Sequence, residues 1–245
     1  MSDFLNNKEP AKPPVVETLE GLSAHLRFLS ELGCIGLDCS EKSLEIIKNW
    51  GRSKTKKSGI LSDIYNNFIK CRQCSLAGDR KNIVCGDGDP EARLLIVGGV
   101  PEPDDIQTGK PYSGKAGELL NKIISAMNLP RKEIYITHAV KCCLPNKMQP
   151  DKMQPNLKNI AVCRYYLMRE LKLVKPEIVC ALGDIATKSL LETSVPLSRL
   201  RGRFHDYQGI RVMPTYSPEY LIKHPDAKRM VWEDIKKVMV KLGKG

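Results

Sequence analysis

Four short apolar segments recur in the last two thirds of the chain, each followed by a stretch of helical character. Arg93–Gly98 (RLLIVG) precedes an amphipathic stretch over Ala116–Leu129, and Ile134–Val140 precedes one over Leu157–Leu171. Ile178–Leu182 precedes a helix from about Asp184, and Ile210–Thr215 precedes one over Asp226–Leu242. Strands this short and this uniformly apolar must be covered on both faces. Strand–helix alternation supplies the crossovers that parallel strands need. The fold class expected is therefore α/β with a mostly parallel central sheet. Such sheets place their sites at the carboxyl ends of the strands. The loops after Gly98, Val140 and Thr215 are the candidates.

The first 59 residues read differently. Residues 1–14 are polar and Pro-rich, the composition of a disordered arm. Val15, Leu19, Leu22, Leu26 and Leu29 recur at steps of three and four, which predicts a helix over Val15–Leu32, ended by Gly33. A second helix is expected near Ser40–Trp50, with Ser40 as its N-cap. Gly51–Gly59 (GRSKTKKSG) has the composition of a basic flexible linker. The expected organisation is a helical appendage over 1–59 and a larger domain over 60–245, whose first helix, Ile60–Ile69, leads into Cys71. The duplicated KMQPD-KMQPN (Lys147–Asn156) is too short for a repeat architecture and reads as an extended loop.

Charge and cysteine usage narrow the partners. The net charge is +11, with a pI near 9.2. A surface this basic suits a polyanion, nucleic acid foremost. No apolar run reaches the ~20 residues that span a bilayer, so no membrane partner is expected. The N-terminal sequence lacks the basic-then-apolar order of a signal peptide. A cytoplasmic location follows as an expectation, and with it reduced thiols for the nine cysteines. Cys71 and Cys74 form a C-R-Q-C step, Cys142 follows a strand, and Cys163 lies in a helix. Four thiolates can hold zinc or an iron–sulfur cluster, and spacing alone does not choose. Cys34, Cys39, Cys85 and Cys180 read as small buried hydrophobes, and Cys143 as a neighbour outside the set.

Several segments in order carry a resemblance to a known family. They are CRQCSLAGDRKNIVCGDGDPEARLLIVGG, GKPYSGKAGELLNKII, IYITHAVKC, the Cys163 helix NIAVCRYYL, PEIVCALGDIA, Arg201–Gly202 and PTYSPEYL. Over about residues 66–243 the chain resembles the iron–sulfur, family-4 type uracil-DNA glycosylases. The resemblance implies a three-layer α/β/α sandwich and a [4Fe-4S] cluster on Cys71, Cys74, Cys142 and Cys163. It implies a monomeric enzyme that flips uracil or another deaminated base out of DNA and hydrolyses its glycosidic bond. Flipping is needed because the reacting bond is inaccessible within the base stack. The N-terminal helices would then be free to recruit a protein partner.

The departures from the family pattern fall on the chemistry. The family's G-E-A-P-G reads Gly98-Gly99-Val100-Pro101-Glu102 here, so Gly99 stands where a Glu is expected and Glu102 where a glycine is. Glu102 should crowd or redirect this loop. Asp105 becomes the candidate for orienting water or stabilising an oxocarbenium-like sugar. The pocket Phe is Tyr112, which keeps a ring for stacking on the base. The base-reading Asn is His138, whose donor and acceptor lie on opposite sides of the ring. The family's His-Pro is Ser217-Pro218, so an uncharged donor faces the leaving base. The catalytic set implied is Asp105, His138 and Ser217, and the base-binding set is Gly99, Val100, Tyr112 and His138. Lys110, Lys115, Lys223 and Pro218 are DNA-binding candidates, with Leu221 either a minor-groove wedge or core. Two other readings are a DNA-binding relative that has lost its chemistry and a zinc-clasped interaction module.

Overall fold

The computed structural model describes Glu31 and residues 56–79, 82–142 and 157–244. The helices expected at Val15–Leu32 and Ser40–Trp50, the duplicated loop, and Cys34, Cys39 and Cys143 lie outside the described residues. Contacts divide the chain into two compact units, Met1–Ser53 and Lys54–Gly245. The second is built on a six-stranded sheet of order β1-β3-β2-β4-β6-β5. Its strands are β1 (Asp87–Gly88), β2 (Leu94–Gly98), β3 (Tyr135–His138), β4 (Ile178–Leu182), β5 (His205–Tyr207) and β6 (Ile210–Thr215). The four central strands are parallel, and β1 and β5 are antiparallel edges.

Around the sheet run α1 (Lys56–Ile69), α2 (Leu76–Asp79), α3 (Pro103–Thr108), α4 (Lys115–Ala126) and α5 (Leu157–Val174). They are followed by α6 (Gly183–Leu191), α7 (Leu197–Leu200), α8 (Pro218–Lys223) and α9 (Lys228–Lys241). Successive strand residues point to opposite faces, and each face has its own core. Leu95, Val97, Val179, Ala181 and Val212 pack with Phe68 of α1, Leu167 and Leu171 of α5 and Leu190 of α6. Leu94, Ile96, Ile178, Cys180 and Met213 pack with Leu120 and Ile124 of α4, Leu221 of α8 and Val231 and Ile235 of α9. The expected three layers and mostly parallel sheet are therefore present.

The four expected strands agree with β2, β3, β4 and β6 to within a few residues. One local reading is corrected: Lys56–Gly59, taken as linker, belong to α1. Lys57 is tied there by its ammonium, which donates to Glu91 Oε2 at 2.6 Å and to the Val174 carbonyl at 3.2 Å.

Candidate functional site

β2 and β3 end side by side, with Gly98 paired in register with His138. The backbone continues the pairing past the strand ends, Ala139 N–H donating to Gly98 O and Val140 N–H to Gly99 O. The chain then turns into α3, which starts with Pro103 after the extended Glu102 and ends at Gly109 in the left-handed region, φ 71°. Asp105, in the first turn of α3, is 2% exposed. Its Oδ2 accepts from Glu102 N–H at 3.1 Å and its Oδ1 from Ser113 N–H at 2.7 Å. His138 Nε2 stands 3.1 Å from the same Oδ2, with the imidazole 1% exposed. These donors hold the Asp105 carboxyl below the usual range, outweighing the opposing effect of burial. A carboxylate beside Nε2 fixes the ring proton there.

Tyr112 completes the cluster. Its backbone is left-handed, φ 58°, an uncommon state for a residue with a side chain. Its ring lies 5.0 Å from the imidazole, tilted by 33°. Tyr112 is buried, and its hydroxyl and His138 Nδ1 have no hydrogen-bond partner. Both atoms end 2.5 Å from where a Cβ on Gly98 would sit, so this glycine leaves the space they occupy.

Gly99 is half-buried, and a Cβ there would meet Ile185 at an ordinary 3.5 Å. Val100 is half-buried against the first core. Ser217 caps α8, its Oγ accepting from Tyr220 N–H at 3.4 Å, which leaves its own O–H free to donate elsewhere. Glu102 keeps its carboxyl half-buried, and burial together with Glu219, Asp105 and Asp104 raises its pKa, while Lys223 opposes the rise. Burial raises the Tyr112 phenol well above its ordinary value, and Glu219, Asp105 and Glu102 raise it further. Carboxylates thus gather around the cluster, a feature that sequence reasoning met only as the unexpected Glu102.

Two of the DNA-binding candidates are buried. Leu221 is 1% exposed and packs in the second core, and Pro218 is buried at the first position of α8. Leu221 thus takes the second of its two expected places, the core. The exposed apolar groups on this helix are Tyr220 and Ile222, at 40% and 48%. Lys110, Lys115 and Lys223 are exposed as expected.

The four cysteines come from three segments that meet beside α5. Cys71, Cys142 and Cys163 are buried in the first core, and Cys74 packs against it. Burial pushes the Cys163 thiol up to about 11, with Cys142 and Cys74 near enough to add to the rise and the Lys141 backbone opposing it. Cys71 hydrogen-bonds the Tyr166 hydroxyl, which Cys163 also reaches electrostatically. Among the described residues no three His, Cys, Asp or Glu close around one metal ion. The four donors are all sulfur and gather in one neighbourhood beside α5. An all-thiolate set of this kind suits an iron–sulfur cluster or zinc.

Between the thiols and His138 lies a buried network that the sequence did not announce. Lys141 and Glu170 are both fully buried, with Nζ 2.6 Å from Oε2. Thr137 Oγ1 donates to Glu170 at 3.1 Å, Tyr65 Oη donates to it at 2.7 Å, and Lys141 Nζ also donates to Thr137 Oγ1.

Comparison with known proteins bears on this geometry. The sequence model of the uracil DNA glycosylase superfamily matches residues 85–236. A type-4 uracil-DNA glycosylase of Thermotoga maritima is 32% identical over 182 residues, covering 73% of this chain and 92% of the relative. One from Saccharolobus solfataricus is 34% identical over 185 residues, covering 71% and 83%. A type-5 uracil-DNA glycosylase of Pyrobaculum aerophilum is 28% identical over 196 residues, covering 66% and 84%.

Proposed function

The chain belongs to the uracil DNA glycosylase superfamily, and on that premise we propose that it excises uracil from DNA by hydrolysis. The observation that carries the reading is the buried Asp105–His138 pair beside Tyr112, at the ends of β2 and β3. In the reaction the C1′–N1 bond breaks and its electron pair leaves with the base. The sugar develops positive charge, water oxygen bonds to C1′, and a proton from that water neutralises the base. Asp105 supplies fixed negative charge near the site. With both of its oxygens already accepting hydrogen bonds, it acts through His138 rather than as a free base. Ser217 Oγ–H donates to the oxygen of the leaving base, where charge develops. A preorganised donor at such a position contributes ~2.7–4 kcal/mol.

The four thiols support a [4Fe-4S] cluster held by Cys71, Cys74, Cys142 and Cys163, which would clasp the segment before β1 to α5. Iron and acid-labile sulfide near four each per chain, with broad visible absorption, are expected on purification. A colourless zinc protein would overturn the assignment. A DNA substrate and reduced thiols support a cytoplasmic enzyme, and Lys110, Lys115 and Lys223 supply contacts to phosphate.

The test of function is base release. A labelled oligonucleotide with one uracil, incubated with holo-protein and then treated with alkali, should be cut at the uracil. An intact oligonucleotide with every deaminated base tried would overturn the reading.

A further inference from the structure

We propose that Tyr112 and His138 read the flipped base as a split pair, the Tyr112 hydroxyl donating to a carbonyl and His138 Nδ1 accepting from the ring N–H beside it. The inference rests on the glycosylase reading above and assigns its specificity to a pair of atoms on different elements.

Four buried side-chain polar atoms among the described residues lack a partner, and two of them, Tyr112 Oη and His138 Nδ1, belong to this cluster. Buried polar groups are normally satisfied, so a pair of orphans at one point calls for a ligand. A Cβ on Gly98 would stand only 2.5 Å from each, so the two atoms converge on one point beside the end of β2. Their polarities are fixed by what surrounds them. Asp105 Oδ2 faces His138 Nε2 at 3.1 Å and its other donors are backbone N–H groups, so the neutral ring carries its proton on Nε2 and a lone pair on Nδ1. Burial keeps the Tyr112 hydroxyl protonated, hence able to donate.

One donor beside one acceptor complements an H–N–C=O edge. Uracil offers it at N3–H and O4, and hypoxanthine at N1–H and O6. Cytosine presents the reverse, a ring lone pair beside an amine, and would set lone pair against lone pair and N–H against O–H. A single Asn amide, which the resembling motif carries at this position, spans both roles; here they are divided between two residues. The rings stand 5.0 Å apart, so the edge of the base must part them to reach both atoms.

Tyr112→Phe keeps the ring and removes only the hydroxyl. It should lower kcat/KM for uracil release about 10-fold, the value of one well-placed hydrogen bond. Replacing uracil O4 by sulfur should penalise the wild type and add no further loss to Tyr112→Phe. His138→Asn restores an amide, and in that background Tyr112→Phe should cost less than about 2-fold. Asp105→Asn can donate to Nε2 and move the ring proton to Nδ1, so it should lose uracil release while remaining folded by circular dichroism. Binding of an oligonucleotide with a non-hydrolysable 2′-fluoro-arabino uracil, compared with its cytosine counterpart, reads the pair without turnover. The uracil preference should vanish in Tyr112→Phe. An unchanged preference and an unchanged rate in that variant would overturn the split reader, leaving the ring alone as the contact. A wild type that binds uracil preferentially but releases no base would sink the glycosylase reading and leave the reader standing.

Discussion

Asp105 shows how one side chain can serve fold and site together. Its carboxylate caps α3 through Glu102 N–H, pins the turn carrying Tyr112 through Ser113 N–H, and faces His138. Because its folded pKa is lowered, it contributes stability that is full above the unfolded carboxyl value of about 3.9 and lost as pH falls through the folded value. Urea melts of Asp105→Asn from pH 7 to pH 3 should therefore show a shallower acid loss than the wild type. A steeper or equal loss would contradict the depressed pKa. Glu102 has the opposite sign: its raised pKa means that burial costs stability once it ionises, so Glu102→Gln should be at least as stable as the wild type at pH 7. The sequence nominated Asp105, Tyr112 and His138 separately, and only the structure shows that they meet. Asp105 and His138 lie in separate motifs, and no spacing rule places one carboxylate oxygen beside Nε2. In the sequence Leu221 stays open between wedge and core for a related reason. A short helix after a strand has an inward and an outward side, and six residues give too little periodicity to tell them apart.

At the scale of elements, the sequence located what was long and apolar. β2, β3, β4 and β6 lie within uniformly apolar runs, and the long helices α4, α5 and α9 have clear amphipathic spacing. β1 and β5 escaped because two and three residues of polar edge strand carry no pattern, and they form only by pairing antiparallel to β3 and β6. The Lys141–Glu170 pair escaped because a Lys and a Glu in sequence read as surface charges. Here they sit between β3 and α5, with Tyr65 of α1 closing the network. Removing one partner leaves the other charge buried and unpaired, so Glu170→Ala should destabilise the domain by about 3–5 kcal/mol in urea unfolding. The paired change Lys141→Met with Glu170→Leu should cost much less, since it removes both charges and fills similar volume. A single variant as mild as the double would mean that the pair is not coupled.

For the whole molecule, the net charge of +11 and the carboxylates around Tyr112 pull in opposite directions. Glu102, Asp104 and Glu219 repel phosphates, so on the proposed function a neutral base would enter beside them and the backbone would pass to either side. Lys110 and Lys115 flank the turn that carries Tyr112, and Lys223 closes α8 opposite Glu102. On the proposed function these cations would guide phosphates past the acidic groups. Each phosphate contact releases a counterion, so the slope of log K against log salt falls by ~0.9 per contact on duplex DNA. Replacing Lys110, Lys115 and Lys223 together by Ala should make that slope shallower by about 2–3 and weaken all sequences alike. If the buried pair is the reader proposed above, the preference for a uracil-containing duplex over its cytosine counterpart should stay the same. Anisotropy titrations of both duplexes between 50 mM and 200 mM salt separate the two effects. An unchanged slope would place the phosphate contacts on other cations, and a lost uracil preference would mean that the replaced lysines also help to read the base.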